Sequence, residues 1–508
     1  MPPCVRVPPV RLPVFLLCAA ALGLPAQAQA PAPLDLATLT ASEAAQRLCA
    51  GTLGSEQLVS AYLAQAKAKP QLNAFITLDE AGALKAARAA DAARKRGGLC
   101  KPLAGLPVLI KDNIEVQGLP STAGTPALKG FVPRADAPVV SKLRAAGAIV
   151  LGKTHMHELA FGVTGYNPAF QTGPEVGVRN AYDVTRIAGG SSSGNGAALG
   201  ARMAPAALGT DTGGSVRIPC AFNGCAALRP TMGRYSQQGI APISHTRDTA
   251  GPMAQSVADL VLLDRVIVGG TPLVAANLKR VRLGVVPAFY ANLDADTKAA
   301  TDAALAKLRA AGVTLVDIDM PKLMELNGAV GFPVALYEAN DDMVAYLKRS
   351  RTGIDIAQLA AGIVSPDVKG TFDGLVIPRK LPTANGVVDA KPAYDNAMRV
   401  ARPALQKLYV DTFRKNNLDA LVFPTVPHVA LAATPEASSP QNFGLLIQNT
   451  DPGSNAGIPG LQLPSGLGAS SGLPIGLELD GPAGSDRQLL AIGLAVESVL
   501  GRLPAPTK

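Results

Sequence analysis

Two Gly-Gly-Ser turns, Gly189-Gly190-Ser191 and Gly213-Gly214-Ser215, set their serines twenty-four positions apart. Between them the sequence predicts a helix starting after Ser193 and a buried strand over Ala204–Leu208. Adjacent glycines let a backbone turn sharply and aim several N–H groups at one point. The same alternation recurs outward. An Ala-rich helix opens at Asp79 and runs to Arg96, Val108-Leu-Ile is a strand ending on Lys111, and Asp136 opens a helix through Arg144. The strand Ala148-Ile-Val-Leu follows. Strands alternating with helices predict an α/β fold, a sheet covered by helices on both faces.

Further along, the pattern predicts a helix beyond Ser256, a strand at 283–286, a helix at 296–311, strands at 313–318 and 420–424, a strand at 475–479 and a terminal helix. Residues 41–96 read as helices, with Ser55 as a cap, and residues 160–190 as a long surface loop. Residues 350–390 read as loop-rich, and 330–410 as a helical lid. No internal repeat or linker divides the chain, so 29–508 is expected to be one catalytic domain.

The N-terminus reads as an export signal over residues 1–28. Arg6 and Arg11 supply a basic region, Leu12–Leu24 a short apolar stretch, and Ala26-Gln27-Ala28 a small-x-small cleavage site. That stretch is shorter than the roughly 20 residues a span needs, so a periplasmic or secreted protein without stable membrane insertion is expected. Removing the two arginines lowers the formal charge from +9 to +7. The remaining Lys and Arg are scattered, without a basic stripe and interleaved aromatics, so nucleic-acid binding is not supported. Export leaves Cys49, Cys100, Cys220 and Cys225 where disulfides can form. Cys49–Cys100 is one candidate bridge, beside two other fully paired connectivities and free thiols.

Only four histidines are present. Gly190-Ser-Ser-Ser-Gly194 formally fits a nucleophile elbow, which would require a later histidine, and only His245 and His428 follow it. His155-x-His157 lacks a metal motif and a third ligand, so these two are read as hydrogen-bonded structural histidines. A serine nucleophile still needs a base beside it, and Gly209-Thr-Asp-Thr-Gly-Gly-Ser215 offers backbone amides suited to an oxyanion.

The ordered set resembles the amidase signature family: Pro-Val-Leu-Ile-Lys111-Asp-Asn, Gly189-Gly-Ser-Ser-Ser-Gly, Gly213-Gly-Ser215, Arg229-Pro-Thr and Asp248-Thr-Ala-Gly-Pro252. Gly457-Ile-Pro-Gly, Pro464-Ser-Gly and Gly472-Leu-Pro-Ile-Gly extend the likeness toward the C-terminus. The resemblance implies a mixed central sheet. It makes Ser215 the nucleophile, Ser191 a bridging serine behind a cis peptide bond, and Lys111 the base. It assigns the amides of Thr212, Gly213 and Gly214 to the oxyanion hole. Asp211 and Arg217 would brace the loop, and Ser192 would donate to Lys111 or cap the next helix. No cofactor and no metal are implied. Ser193 and Asn195 depart from the family's common pattern without touching the triad.

Within that family, Gly233 to Pro252 and Asn449 to Gly460 look closest to mandelamide and indoleacetamide hydrolases. The implied partner is a small aryl- or alkyl-carboxamide, cleaved to carboxylate and ammonia. Peptide C-terminal amides, carbamates and anilides are alternatives, as is an exported binding protein of the same fold. The likeness also reaches the amidotransferase subunit that feeds ammonia to charged tRNA, a cytosolic role that an export signal disfavours. A homodimer is compatible with the sequence. Tyr166, Phe170, Phe332, Tyr337 and Phe443 are candidate pocket aromatics.

Overall fold

Leu109 and Ile110 of the strand ahead of Lys111 have neighbours on both edges and no exposed surface, which is why the run is apolar without alternation. The computed structural model describes residues 1–6, 8–9 and 34–507. The apolar stretch of the expected export signal and its cleavage site lie outside the described residues. The chain divides into Met1–Leu34 and a body, Asp35–Lys508, and among the described residues every helix and strand belongs to the body. No helix among the described residues is long and apolar enough to cross a membrane.

In chain order the strands are β1 (Phe75–Leu78), β2 (Pro107–Lys111), β3 (Ile149–Thr154), β4 (Ala206–Asp211), β5 (Ala226–Arg229), β6 (Thr249–Ala254) and β7 (Arg282–Val285). They continue with β8 (Thr314–Asp317), β9 (Lys380–Thr383), β10 (Gly386–Asp389), β11 (Ala420–Pro424), β12 (Gly460–Leu467) and β13 (Pro474–Asp480). Eleven form one sheet, ordered β1-β3-β2-β4-β6-β5-β12-β13-β11-β7-β8, and β9 and β10 form a separate hairpin. Pairs β2–β3, β2–β4, β7–β8 and β7–β11 are parallel and the others antiparallel, so the sheet is mixed, as expected.

Helices cover both faces, and β13 shows how the sequence selects them. Its Pro-Ile-Gly-Leu-Glu-Leu-Asp run alternates. Leu477 and Leu479, with Leu461 and Leu463 of β12 opposite them, are fully buried on one face, where Leu461 meets Gly493 of the C-terminal helix Asp486–Leu500. Burying each leucine contributes about 1.5–3 kcal/mol. Gly476, Glu478 and Asp480 point to the other face, under helix Arg217–Asn223. A side chain at Gly476 would collide with Gln462 and Ala221, so close helix–sheet packing requires glycine there.

Some local expectations need correction. Ser55 is the first helical residue rather than the cap. Its hydroxyl donates to the Gly105 carbonyl, while Asp91 accepts the Ser55 and Glu56 amides. Asp136 does not cap its helix, Pro138–Ala145; it accepts the Gln117 amide and pairs with Arg144. The stretch 41–96 contains a strand, β1, at the sheet edge. Residues 350–390 contain helices Ile356–Ala361 and Pro366–Thr371 and the β9–β10 hairpin, rather than loop alone. Cys49–Cys100 and Cys220–Cys225 are bonded, with Cα atoms 5.6 and 4.5 Å apart.

Candidate active site

Lys111 ends β2 with no exposed surface. Its Nζ lies 2.8 Å from Ser191 Oγ and 2.7 Å from Thr210 Oγ1. Both partners are neutral hydroxyls. Burial lowers its pKa to about 7 against the opposing pull of Asp211 and Asp248, so a substantial share of the amine carries a free lone pair at neutral pH. Thr210 was not singled out from sequence. It sits on β4 beside β2, and Asn113 Nδ2 reaches the same hydroxyl at 3.2 Å.

Ser191 follows a cis Gly190–Ser191 bond and is fully buried. Its carbonyl accepts the His157 amide at 3.2 Å and the Ser193 hydroxyl at 3.4 Å. Ser192 makes no hydrogen bond to Lys111; it stands at the N-cap position of the helix that follows, its carbonyl accepting the Gly196 amide at 3.1 Å, without a side-chain cap bond. Its hydroxyl donates to Thr210 O at 3.1 Å, and its amide donates to Ser215 O at 3.0 Å. Asn195 accepts from Thr154 of β3 at 2.5 Å. Ser215 keeps 6% exposure where Lys111 and Ser191 have none. Only the last serine of the three residues is open to a substrate.

The Thr212–Val216 turn is shaped by one carboxylate. Asp211 accepts the Gly214 amide at 2.9 Å and the Val216 amide at 3.2 Å, and pairs with Arg217 and Arg229. Burial pushes its pKa up, but the two guanidinium groups outweigh that and hold it well below the usual carboxylate range. Arg217 also reaches Glu478 at 2.9 Å, Ser454 Oγ at 2.7 Å and the Thr450 carbonyl at 3.1 Å. Thr450 Oγ1 donates to Gly213 O at 2.6 Å, and Thr212 Oγ1 donates to Asp248 at 2.6 Å. Gly214 has φ +133° and packs against Thr450 and Ile218, so a side chain there would be strained and crowded. The amides of Thr212 and Gly213 have no acceptor among the described residues, whereas the Gly214 amide is committed to Asp211.

Elsewhere, His155 Nε2 bonds to the Ala169 carbonyl at 2.7 Å and His157 Nε2 to Asp367 at 3.0 Å, so the two rings serve different partners. His245 is exposed, its nitrogens 3.0 Å from Asp342 and 3.3 Å from Glu338 rather than near a serine. Those three form a group that could hold a metal, with both ring nitrogens already facing carboxylates. A cavity of about 250 Å3 opens there, with Asp248 and Ile240 in its wall. Tyr337 stacks on Tyr394 with centroids 4.3 Å apart, and Phe332 lies 5.7 Å from Phe443.

A buried lysine bonded to a buried serine, beside a second serine on a glycine turn of an α/β sheet, has the parts of a histidine-free serine hydrolase. The Amidase family model matches residues 57–490. The chain is 47% identical to mandelamide hydrolase of Pseudomonas putida, over 94% of each chain. It is 40% identical to an indoleacetamide hydrolase of Rhizobium radiobacter, over 88% of this chain and 93% of that one. Its fold is similar to native peptide amidase from Stenotrophomonas maltophilia, with TM-score 0.78, 31% identity, and coverage of 93% and 99%. The chain belongs to the amidase family and is a hydrolase of amide C–N bonds.

Proposed function

We propose that the substrate is a small aryl- or alkyl-carboxamide, and that Ser215, Ser191 and Lys111 carry its hydrolysis. Ser215 Oγ bonds to the amide carbonyl carbon while its proton passes through Ser191 to Lys111. Collapse of the tetrahedral adduct breaks the C–N bond, and the proton returns along the relay to the departing nitrogen, which leaves as ammonia. Water then attacks the acyl-Ser215 ester with the same base, releasing carboxylate and restoring Ser215. The amides of Thr212 and Gly213, which have no acceptor among the described residues, are assigned to the oxyanion, each such donor being typically worth about 2.7–4 kcal/mol in the barrier. Gly214 joins them only if it leaves Asp211; otherwise it contributes by fixing the turn.

The observation that carries this reading is Lys111 itself, fully buried and bonded to two hydroxyls without a carboxylate partner. The aryl preference is supported by the identity to mandelamide and indoleacetamide hydrolases, which exceeds that to the peptide amidase. Export to the periplasm or beyond is supported by the signal-like N-terminus and by the Cys49–Cys100 and Cys220–Cys225 bonds, which persist in oxidising compartments. The test is ammonia release from phenylacetamide, mandelamide, indoleacetamide, short alkyl amides and a C-terminally amidated dipeptide, with Ser215→Ala beside it. Ammonia from the arylacetamides, lost in the variant, is expected. Ammonia from the dipeptide alone would replace the reading with peptide amidase.

A further inference from the structure

We propose that the rings of Phe332 and Phe443 form the aryl-binding wall at the mouth of the Ser215 site, and that Phe332 sets the preference for aryl over alkyl amides. This rests on the amide-hydrolase reading above. Five aromatic ring pairs occur among the described residues. Phe289–Phe423 and Tyr409–Phe413 are buried in the core under β11 and helix Arg402–Asn416. Phe161–Phe372 belongs to a separate core beneath helix Leu323–Ser350. Tyr337 is spent on both sides, stacked on Tyr394 and covered by Arg379 at 5.2 Å. Phe332–Phe443 alone presents a large open ring face, with Phe332 49% exposed.

Two routes of contact, through the adjacent residues Asp451 and Thr450, lead from that pair to the nucleophile turn. Gly331, next to Phe332, and Gly213, two residues before Ser215, approach opposite oxygens of the Asp451 carboxylate. A Cβ on either would lie 2.8 Å from Oδ2 or 3.0 Å from Oδ1 respectively. Arg247 bonds to both the Gly331 carbonyl, at 2.8 Å, and Asp451, which fixes the approach. From the other side, Thr450 holds the Gly213 carbonyl at 2.6 Å and donates its amide to Ile447 O at 3.1 Å. Ile447 lies one helical turn after Phe443 in helix Pro440–Ile447. Phe443 is also seated on the apolar cluster that contains Ile218, the side chain under Gly214. Phe332 and Phe443 are thus borne by two elements that converge on Gly213.

Their centroids lie 5.7 Å apart at 44°. That tilt leaves one face of Phe332 for a third ring, and aromatic rings favour offset or edge contacts over full overlap. An aryl group on the acyl side of the substrate would complete the cluster and cover the exposed face; a short alkyl group would leave it wet.

The experiment compares kcat/KM for phenylacetamide and propionamide by ammonia release, in the wild type, Phe332→Ala, Phe332→Leu and Phe332→Tyr. The phenylacetamide-to-propionamide ratio is expected to fall about tenfold in Phe332→Ala and to recover in Phe332→Tyr, which restores the ring. Phe332→Leu keeps apolar volume without a ring; a fallen ratio there supports the proposal even if Phe332→Ala folds poorly. A ratio within about twofold of wild type in both Phe332→Ala and Phe332→Leu would overturn it. If the wild type releases ammonia from neither amide, the amide-hydrolase reading fails first and this inference falls with it.

Discussion

Lys111 and Lys153 stand one strand apart, β2 and β3, in adjoining rungs of the same parallel ladder. Both are fully buried, burial lowers the pKa of both, and both hold a serine hydroxyl, Ser191 at 2.8 Å and Ser121 at 2.7 Å. Their remaining partners differ. Lys153 lies 3.3 Å from the Asp112 carboxylate and donates to the Pro120 and Asp112 carbonyls. Lys111 has hydroxyls only. At Lys153 the Asp112 carboxylate opposes the lowering by burial, favours the charged form and ties the chain together. A buried amine facing hydroxyls can release and retake a proton. Burial does not by itself make a base; the set of acceptors around the nitrogen does.

That contrast can be broken from either side. Ser215→Ala is expected to remove acyl-enzyme formation, a loss of about 10^4-fold or more in kcat by quenched-flow or ammonia assay. Lys111→Met should lower kcat by about 10^3-fold yet leave the protein at least as stable at pH 7. The sign follows from linkage. The folded-state pKa of about 7 lies below the unfolded value, so between these the unfolded chain binds more protons, and the penalty fades as pH rises. Removing the lysine removes that penalty. A denaturation midpoint well below wild type for Lys111→Met would contradict this.

Lys153→Met should behave in the opposite way, destabilising by about 3–5 kcal/mol in denaturant titration because Asp112 loses its buried counter-charge. Its rate profile should keep the acid limb of the wild type where the protein remains folded. Should Lys153→Met shift that limb instead, the two lysines would be coupled and the contrast would fail. The smallest effect is expected from Thr210→Val, about tenfold in kcat, since it removes one of the two hydroxyls that orient Lys111 and leaves Ser191 in place.

The regular elements were legible where a period or a cap marks them. Asp79 caps the helix Glu80–Lys95, Ser256 caps Val257–Val268, and the apolar run before Lys111 is a central strand. β12 was hidden because Pro464, Ser465 and Gly466 punctuate it like a loop, and a bulge there absorbs the irregularity. β5 and β6 join glycine- and proline-containing segments whose pairing depends on tertiary contacts alone. Cap residues misled at Ser55 and Asp136, since a side chain that can cap a helix can equally bond to a distant backbone group.

At the site, the glycine turns and Lys111 were readable, and Lys111 Nζ meets Ser191 Oγ as expected. Thr210 and Arg229 gain their parts only from the sheet register and the packing above it. The Thr210 hydroxyl meets Lys111 because β4 lies beside β2, and Arg229 reaches Asp211 at 2.8 Å. Glu478 and Asp480 carried a usable signal, two acids on one face of an otherwise apolar strand. Such a pattern calls for a buried cation, and Arg217 supplies it.

The most direct measurement is the pH dependence of kcat/KM for phenylacetamide ammonia release by the wild-type protein, between about pH 5 and 9. A neutral Lys111 base predicts a rate that falls about tenfold per unit on the acid side of a limb near the value of about 7 set by burial. A flat profile across that range would contradict the assignment of Lys111 as the base.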